Sequence, residues 1–259
     1  MPWVLAGVRS LRHMLSISTS DGVAEAIVAT PPRGTGAGVL FFMDAFGLRP
    51  RIEEMAAQIA SWGYVVLVPN VFYRDGTVSE LAPQGDLTTP AGREAFWQVA
   101  GARIEHLTTE MVVRDNDAYL TALRSLPGVV VSGPVGVVGF CMGARLAIRA
   151  AGRHPDLVAA CAGFHGGRLV TDAPDSPHRE LATARAEFVF GHADNDGSMT
   201  GQDSADLGAA LAAAGLTASN EIYEGAPHGY TMADTASWNE PAFVRAFSNL
   251  RDLYARTLN

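Results

Sequence analysis

The chain contains no lysine: all 19 basic residues among its 259 are arginines. That absence excludes a Schiff-base lysine, a lysine-bound pyridoxal phosphate and a P-loop lysine. Cysteine is nearly absent too, with only Cys141 and Cys161. They form no C-x-x-C pair and no His/Cys cluster, so neither a disulfide framework nor a metal site is expected. Long apolar runs are missing, since nothing approaches the roughly 18 residues that span a bilayer. The start, MPWVLAGVRSLRHMLSIS, has no basic segment ahead of its short apolar stretch and no clear A-x-A site, and Met14 is an alternative start. A cytoplasmic protein without membrane contact is the expectation. Positive charge is short as well: 19 basic against 27 acidic residues leave a net −8, which argues against a nucleic-acid partner. Internal repeats, low-complexity tracts and a Pro/Gly/Ser linker are all lacking. The expectation is one domain, 21–259, behind an N-terminal extension, 1–20, that is poorly ordered.

What is present is alternation. Apolar strands are expected at 39–43, 64–68, 135–138, 157–160, 187–190 and 220–223. Helical patterns are expected at 52–62, 103–126, 142–153, 207–214 and 243–257. Between Tyr73 and about Ala102 the Gly-, Pro- and Thr-rich chain reads as a loop or lid. Short continuous apolar strands alternating with helices predict an α/β fold with a mostly parallel sheet covered on both faces. Sites in such sheets form at the carboxyl ends of the strands.

The residues just after the strands carry the chemistry. Gly139-Phe140-Cys141-Met142-Gly143 is G-x-C-x-G, a nucleophile elbow with Cys in place of Ser. Its glycines permit a sharp strand-to-helix turn, and the helix N-terminus favours a thiolate. The amide of Met142 would donate to an oxyanion. The bland reading is a buried cysteine before a glycine turn, but the apolar strand before it and the helix after it favour the elbow. Gly225-Ala-Pro-His228-Gly229 places a histidine on a tight loop after the last strand, suited to a general base. His165, after the strand at 157–164, is a candidate to line the pocket; His13, His106, His154 and His178 read as solvated. After the strand at 187–190, Gly191-His192-Ala193-Asp194-Asn195-Asp196 offers two acids by position, Asp194 and Asp196, either of which could orient His228. A metal set of His192, Asp194 and Asp196 lacks further ligands in the sequence. The order Cys141, acid, His228 is that of the α/β-hydrolase fold.

These residues bring a family resemblance with them. FFMDAFGLRPRIEEMA at 41–56, VVLVPNVFYR at 65–74, GVVGFCMGARLA at 136–147, VFGHADND at 189–196 and YEGAPHGYTM at 223–232 resemble the dienelactone hydrolase family (carboxymethylenebutenolidases). The similarity runs from about Asp21 to the C-terminus. It implies a triad of Cys141, Asp194 and His228, with Asp194 favoured over Asp196 by its spacing from the strand. It implies that Asp44 stands where the family carries a thiol-activating Glu, and that Ala45 supplies a second oxyanion amide beside Met142. In the family, arginines anchor the substrate carboxylate, one of them four positions after the catalytic His, where this chain has Met232. Arg93 and Arg103 are candidates for the other. Phe46, Tyr73, His165 and Tyr230 complete the candidate substrate contacts.

The expected activity is a cysteine-dependent hydrolase of small activated esters or lactones, working through a thioester and needing no cofactor. The expected state is a monomer or weak homo-oligomer. Two readings compete: a non-catalytic or regulatory ligand binder on the same scaffold, and a thiol redox protein. The absence of a resolving cysteine near Cys141 weighs against the second.

Overall fold

The structure, a computed structural model, describes residues 12–258. It opens with an antiparallel hairpin of β1 (Arg12–Thr19) and β2 (Gly22–Ala29), closed by Gly22 at a φ of 147°. Positive φ of this kind suits a residue without Cβ. Residues 12–19 therefore belong to the sheet, which corrects the reading of 1–20 as a loose extension; the remainder of that segment, 1–11, lies outside the described residues. The hairpin eluded the sequence because β1 is an edge strand. It is rich in Ser and Thr, and Ile17 is its buried apolar anchor.

From there the chain alternates. β3 (Gly38–Phe42), α1 (Pro50–Ser61) and β4 (Val65–Pro69) come first. α2 (Val78–Leu81), α3 (Pro90–His106) and α4 (Thr109–Ser125) follow, then β5 (Val135–Phe140), α5 (Gly143–Arg153) and β6 (Val158–Phe164). A 3-10 helix (Pro177–Ala182), β7 (Glu187–Ala193), α6 (Gly201–Ala213), β8 (Ala218–Tyr223) and α7 (Glu240–Thr257) complete it. The strand order is β1-β2-β4-β3-β5-β6-β7-β8, and all pairs from β4 to β8 are parallel. Every residue of β3, β4 and β5 is buried, as expected of parallel strands covered on both faces. α1 and α7 share one face, where Trp62 meets Phe247 edge-on at 5.7 Å. α4 and α5, which pack on each other, cover the other. Among the described residues no helix is long and apolar enough to cross a membrane.

The stretch 73–102 is largely helical rather than a loop. α3 begins at Pro90 behind a Thr89 cap and buries Phe96, Ala100 and Arg103. Those three share one face, yet only Phe96 is large and apolar, so no hydrophobic stripe marks the helix in the sequence. The long helix expected at 103–126 is two helices. Its interruption falls at Thr108, whose hydroxyl caps α4 by accepting from the Met111 amide.

The chain leaves β3 toward β4 on one side, returns, and enters β5 on the other. β3 and β5 are hydrogen-bonded neighbours, so the crevice beyond their carboxyl ends is a topological switch point. Residues 44–47 and Cys141 emerge into it.

Candidate active site

Cys141 follows β5 in the left-handed region, at a φ of 54°. The two glycines of the elbow have separate steric reasons. A Cβ on Gly139 would sit 2.1 Å from the Gly143 carbonyl oxygen. A Cβ on Gly143 would sit 2.5 Å from the carbonyl oxygens of Phe42 and Met43, at the end of β3. The Cys141 amide donates to Phe164 O at 3.0 Å, tying the elbow to β6. The half-buried thiol stands at the N-terminal end of α5, where free amides favour negative charge.

The Sγ of Cys141 lies 3.0 Å from His228 Nε2, and His228 Nδ1 lies 2.5 Å from Asp196 Oδ2. Burial alone would push the imidazole down. The Cys141 charge and the hydrogen bonds to Asp196 and Cys141 outweigh it and hold His228 up at about 10. Burial raises the Asp196 carboxyl, but His228 and Ser198 together bring it below its ordinary value. Ser198 donates to Asp196 Oδ1 through both its amide, 2.8 Å, and its hydroxyl, 2.7 Å.

The acid on His228 is thus Asp196, which corrects the assignment to Asp194. Asp194 instead accepts the Gly225 amide at 2.9 Å. The residue between them, Asn195, has a φ of 53°, and this left-handed kink aims the two carboxylates at different partners. His192 is held by Asn220 at 2.7 Å, and among the described residues no group of three or more His, Cys, Asp or Glu could hold an ion.

Asp44 lines the cavity beside Cys141, but its hydrogen bonds go elsewhere. Arg49 takes both its oxygens, at 2.6 and 3.0 Å, and Phe46 N donates to Oδ1 at 3.1 Å. Arg49 in turn reaches Asp234 at 2.5 Å. Desolvation would ease the proton off Arg49, but the two carboxylates reverse this and drive its value upward. The expected approach of Asp44 to the thiol is therefore corrected in its geometry: the side chain hydrogen-bonded to Sγ is His228, and the shorter Asp44 is held in an ion pair with Arg49. Ala45 and Met142 are both buried, and their amides have no acceptor among the described residues.

A cavity of about 220 Å³ opens over Sγ. Phe46, Arg93, His165 and Met232 line it, together with Trp97, Thr235 and Ser237, which the sequence did not single out. Three candidate substrate contacts do not reach it. Tyr73 is bound to Thr19 and Asp115, and Tyr230 donates to Gly191 O at 2.9 Å. Arg103 is 7% exposed, beneath the 44–47 turn. His165 is fully buried and kept uncharged by desolvation; its Nε2 meets Thr231 Oγ1 at 2.7 Å, and its ring stands edge-on to His228 at 5.4 Å. Arg93 makes two long contacts, 3.4 Å each, to the carbonyls of Leu87 and Thr88, and has no carboxylate partner among the described residues. Cys161 lies within β6, level with Val137, and burial pushes its thiol up.

Of the residues sequence reasoning missed, Ser198 had a local signal, the Asp-x-Ser spacing of a side-chain-to-backbone turn. Arg49 and Asp234 are 185 positions apart and had none.

Known proteins match this architecture. A carboxymethylenebutenolidase of Rhodococcus opacus is 28% identical over 231 residues, covering 89% of this chain and 82% of its own length. Among solved structures, a Klebsiella pneumoniae protein assigned to the dienelactone hydrolases superposes with a TM-score of 0.81 at 19% identity, covering 96% of this chain and 99% of its own. The dienelactone hydrolase of Anabaena variabilis gives 0.64 at 18%, covering 96% and 99%. Both show the α/β-hydrolase fold. The model of the dienelactone hydrolase family matches residues 24–258; with that span and this fold, the chain belongs to the dienelactone hydrolase family and is a hydrolase of the ester and lactone type.

Proposed function

We propose that the protein hydrolyses small activated esters or lactones through Cys141, by way of a thioester. The observation that carries this reading is the continuous chain from Sγ to His228 to Asp196, at 3.0 and 2.5 Å. Nucleophile, base and orienting acid stand in hydrogen-bond reach in that order. Cys141 Sγ attacks the acyl carbon, and the amides of Ala45 and Met142 receive the negative charge on oxygen. The bond to the leaving oxygen breaks as His228 passes it a proton. His228 then takes a proton from water, whose oxygen attacks the thioester carbon and releases Cys141 as the thiolate. A thiolate is itself a good leaving group. The first intermediate therefore goes forward only when the departing oxygen leaves more readily, as in enol lactones and aryl esters.

The cavity of about 220 Å³ supports a small substrate. Arg93 lines it without a carboxylate partner among the described residues, which supports a substrate that bears a negatively charged substituent. The test is hydrolysis of p-nitrophenyl acetate and of a dienelactone by wild type and Cys141→Ala, with iodoacetamide titration. Turnover of both by wild type and neither by the variant is the expected result. Turnover of the ester alone would discard the dienelactone. Unchanged turnover by Cys141→Ala would reject the mechanism.

A further inference from the structure

The amide of Ala45 can receive an oxyanion only if the Asp44–Ala45 peptide keeps one orientation, and the chain holds both that peptide and the one that follows it. On the near side, the Asp44 carbonyl accepts the Gly47 amide at 3.2 Å, and Asp44 Oδ1 accepts the Phe46 amide at 3.1 Å. On the far side, the carbonyl of Ala45 accepts Arg103 Nη2 at 3.1 Å. Phe46 N–H and Ala45 C=O are the two ends of the peptide that follows the Ala45 N–H, so a carboxylate and a guanidinium grip that adjoining plane from opposite edges.

Arg103 is an unusual choice for this task. It comes from the last turn of α3, is 7% exposed, and has no carboxylate partner among the described residues. Its other polar contact is Leu81 O at 3.2 Å, and its Nε has no partner among the described residues. Its flat face lies over the rings of Phe72 at 4.9 Å and Phe96 at 5.0 Å. A buried cation satisfied only by carbonyls and aromatic faces costs desolvation energy. If its task were only to fill space between Phe72 and Phe96, an apolar side chain would do so without that cost.

We propose that Arg103 is a positioning residue for the oxyanion hole, locking the Ala45–Phe46 peptide, and through it the turn that presents the Ala45 amide, so that the alignment of this amide depends on how α3 is seated. The same helix carries Arg93 and Trp97 into the cavity. A substrate that engages those side chains thereby steadies the helix whose far end holds the turn that carries the oxyanion donor. This rests on the thioester mechanism above.

The experiment compares Arg103→Met and Arg103→Lys with wild type in two reactions at Cys141. Ester acylation develops an oxyanion. Alkylation by iodoacetamide is displacement at a saturated carbon and develops none. The expected result for Arg103→Met is a fall in kcat of about 10- to 100-fold on p-nitrophenyl acetate, less than loss of a whole oxyanion donor. KM should change little, and alkylation should stay within about threefold of wild type, since the thiol and His228 are untouched. Arg103→Lys, which keeps one charged donor, should recover part of kcat. Equal losses in acylation and alkylation would show a general disturbance of the site and overturn the proposal. Unchanged kcat in soluble Arg103→Met would overturn it too, as would a kcat in Arg103→Lys no higher than in Arg103→Met. The Cys141→Ala control separates the two ideas: ester turnover that survives it removes the catalytic reading itself, and this inference with it.

Discussion

Ser198 and Asp196, two positions apart beyond β7, divide one carboxylate between two tasks. The amide and hydroxyl of Ser198 both donate to Oδ1, which leaves Oδ2 to His228 Nδ1. The acid is thus fixed in rotation before the imidazole uses it. Asp196→Asn should reduce kcat/KM by about 10²- to 10⁴-fold, as loss of an orienting acid does in comparable triads. Asp194→Asn, which loses only the Gly225 contact, should stay within a few-fold. Steady-state kinetics on one activated ester decides between them, and a reversed order would return the role to Asp194.

The buried Arg49 ion pairs predict a stability effect without a matching effect on the thiol. Arg49→Met leaves Asp44 buried and uncompensated, at a cost on the order of 3–5 kcal/mol. Asp44→Asn combined with Arg49→Met should recover part of that loss. Urea unfolding measures both, and a single-variant loss below about 1 kcal/mol would contradict the burial argument. Iodoacetamide should alkylate Asp44→Asn at close to the wild-type rate, because Asp44 makes no hydrogen bond to Sγ.

Stability should fall on both sides of pH 6.5. His228 is held at about 10 against an ordinary 6.5, so between those values the folded imidazole keeps a proton that the unfolded imidazole has released. Its contribution is complete below 6.5 and is lost as pH rises to about 10. His165 is shifted the opposite way by burial, so its contribution is complete above 6.5 and declines as pH falls. Melting curves from pH 4 to 11 should show a shallower alkaline decline in His228→Gln than in wild type. Parallel alkaline limbs would count against the raised imidazole.

Arg93→Gln should discriminate between substrates. KM for a carboxylate-bearing ester should rise by about tenfold, the scale of one charge-assisted contact. KM for neutral p-nitrophenyl acetate should change less than about twofold. Equal changes for both would place Arg93 outside substrate binding.

Much of this was legible in the sequence because it is local. The elbow can be read from five consecutive residues, since a strand-to-helix turn needs Gly139 and Gly143 wherever it occurs. His228 sits in an equally compact signature. The choice between Asp194 and Asp196 was not legible, because it turns on the left-handed backbone of Asn195. The fate of Asp44 was hidden for a different reason. Its partner Arg49 is five residues away, but the geometry that commits that guanidinium to two carboxylates depends on Asp234, near the other end of the chain. α3 was obscured because one of its three buried positions is a cation held by carbonyls and rings, which no count of apolar periodicity records.

The burial of Cys161 has a practical consequence. With its sulfur shut inside β6 and its proton held tightly, the folded protein offers a mild electrophile a single reactive sulfur. One adduct per chain by intact mass is then a head count of chains with an intact, reachable Cys141 in any preparation. Every rate measured on a variant can be divided by that count, so a slow enzyme is distinguished from a scarce one.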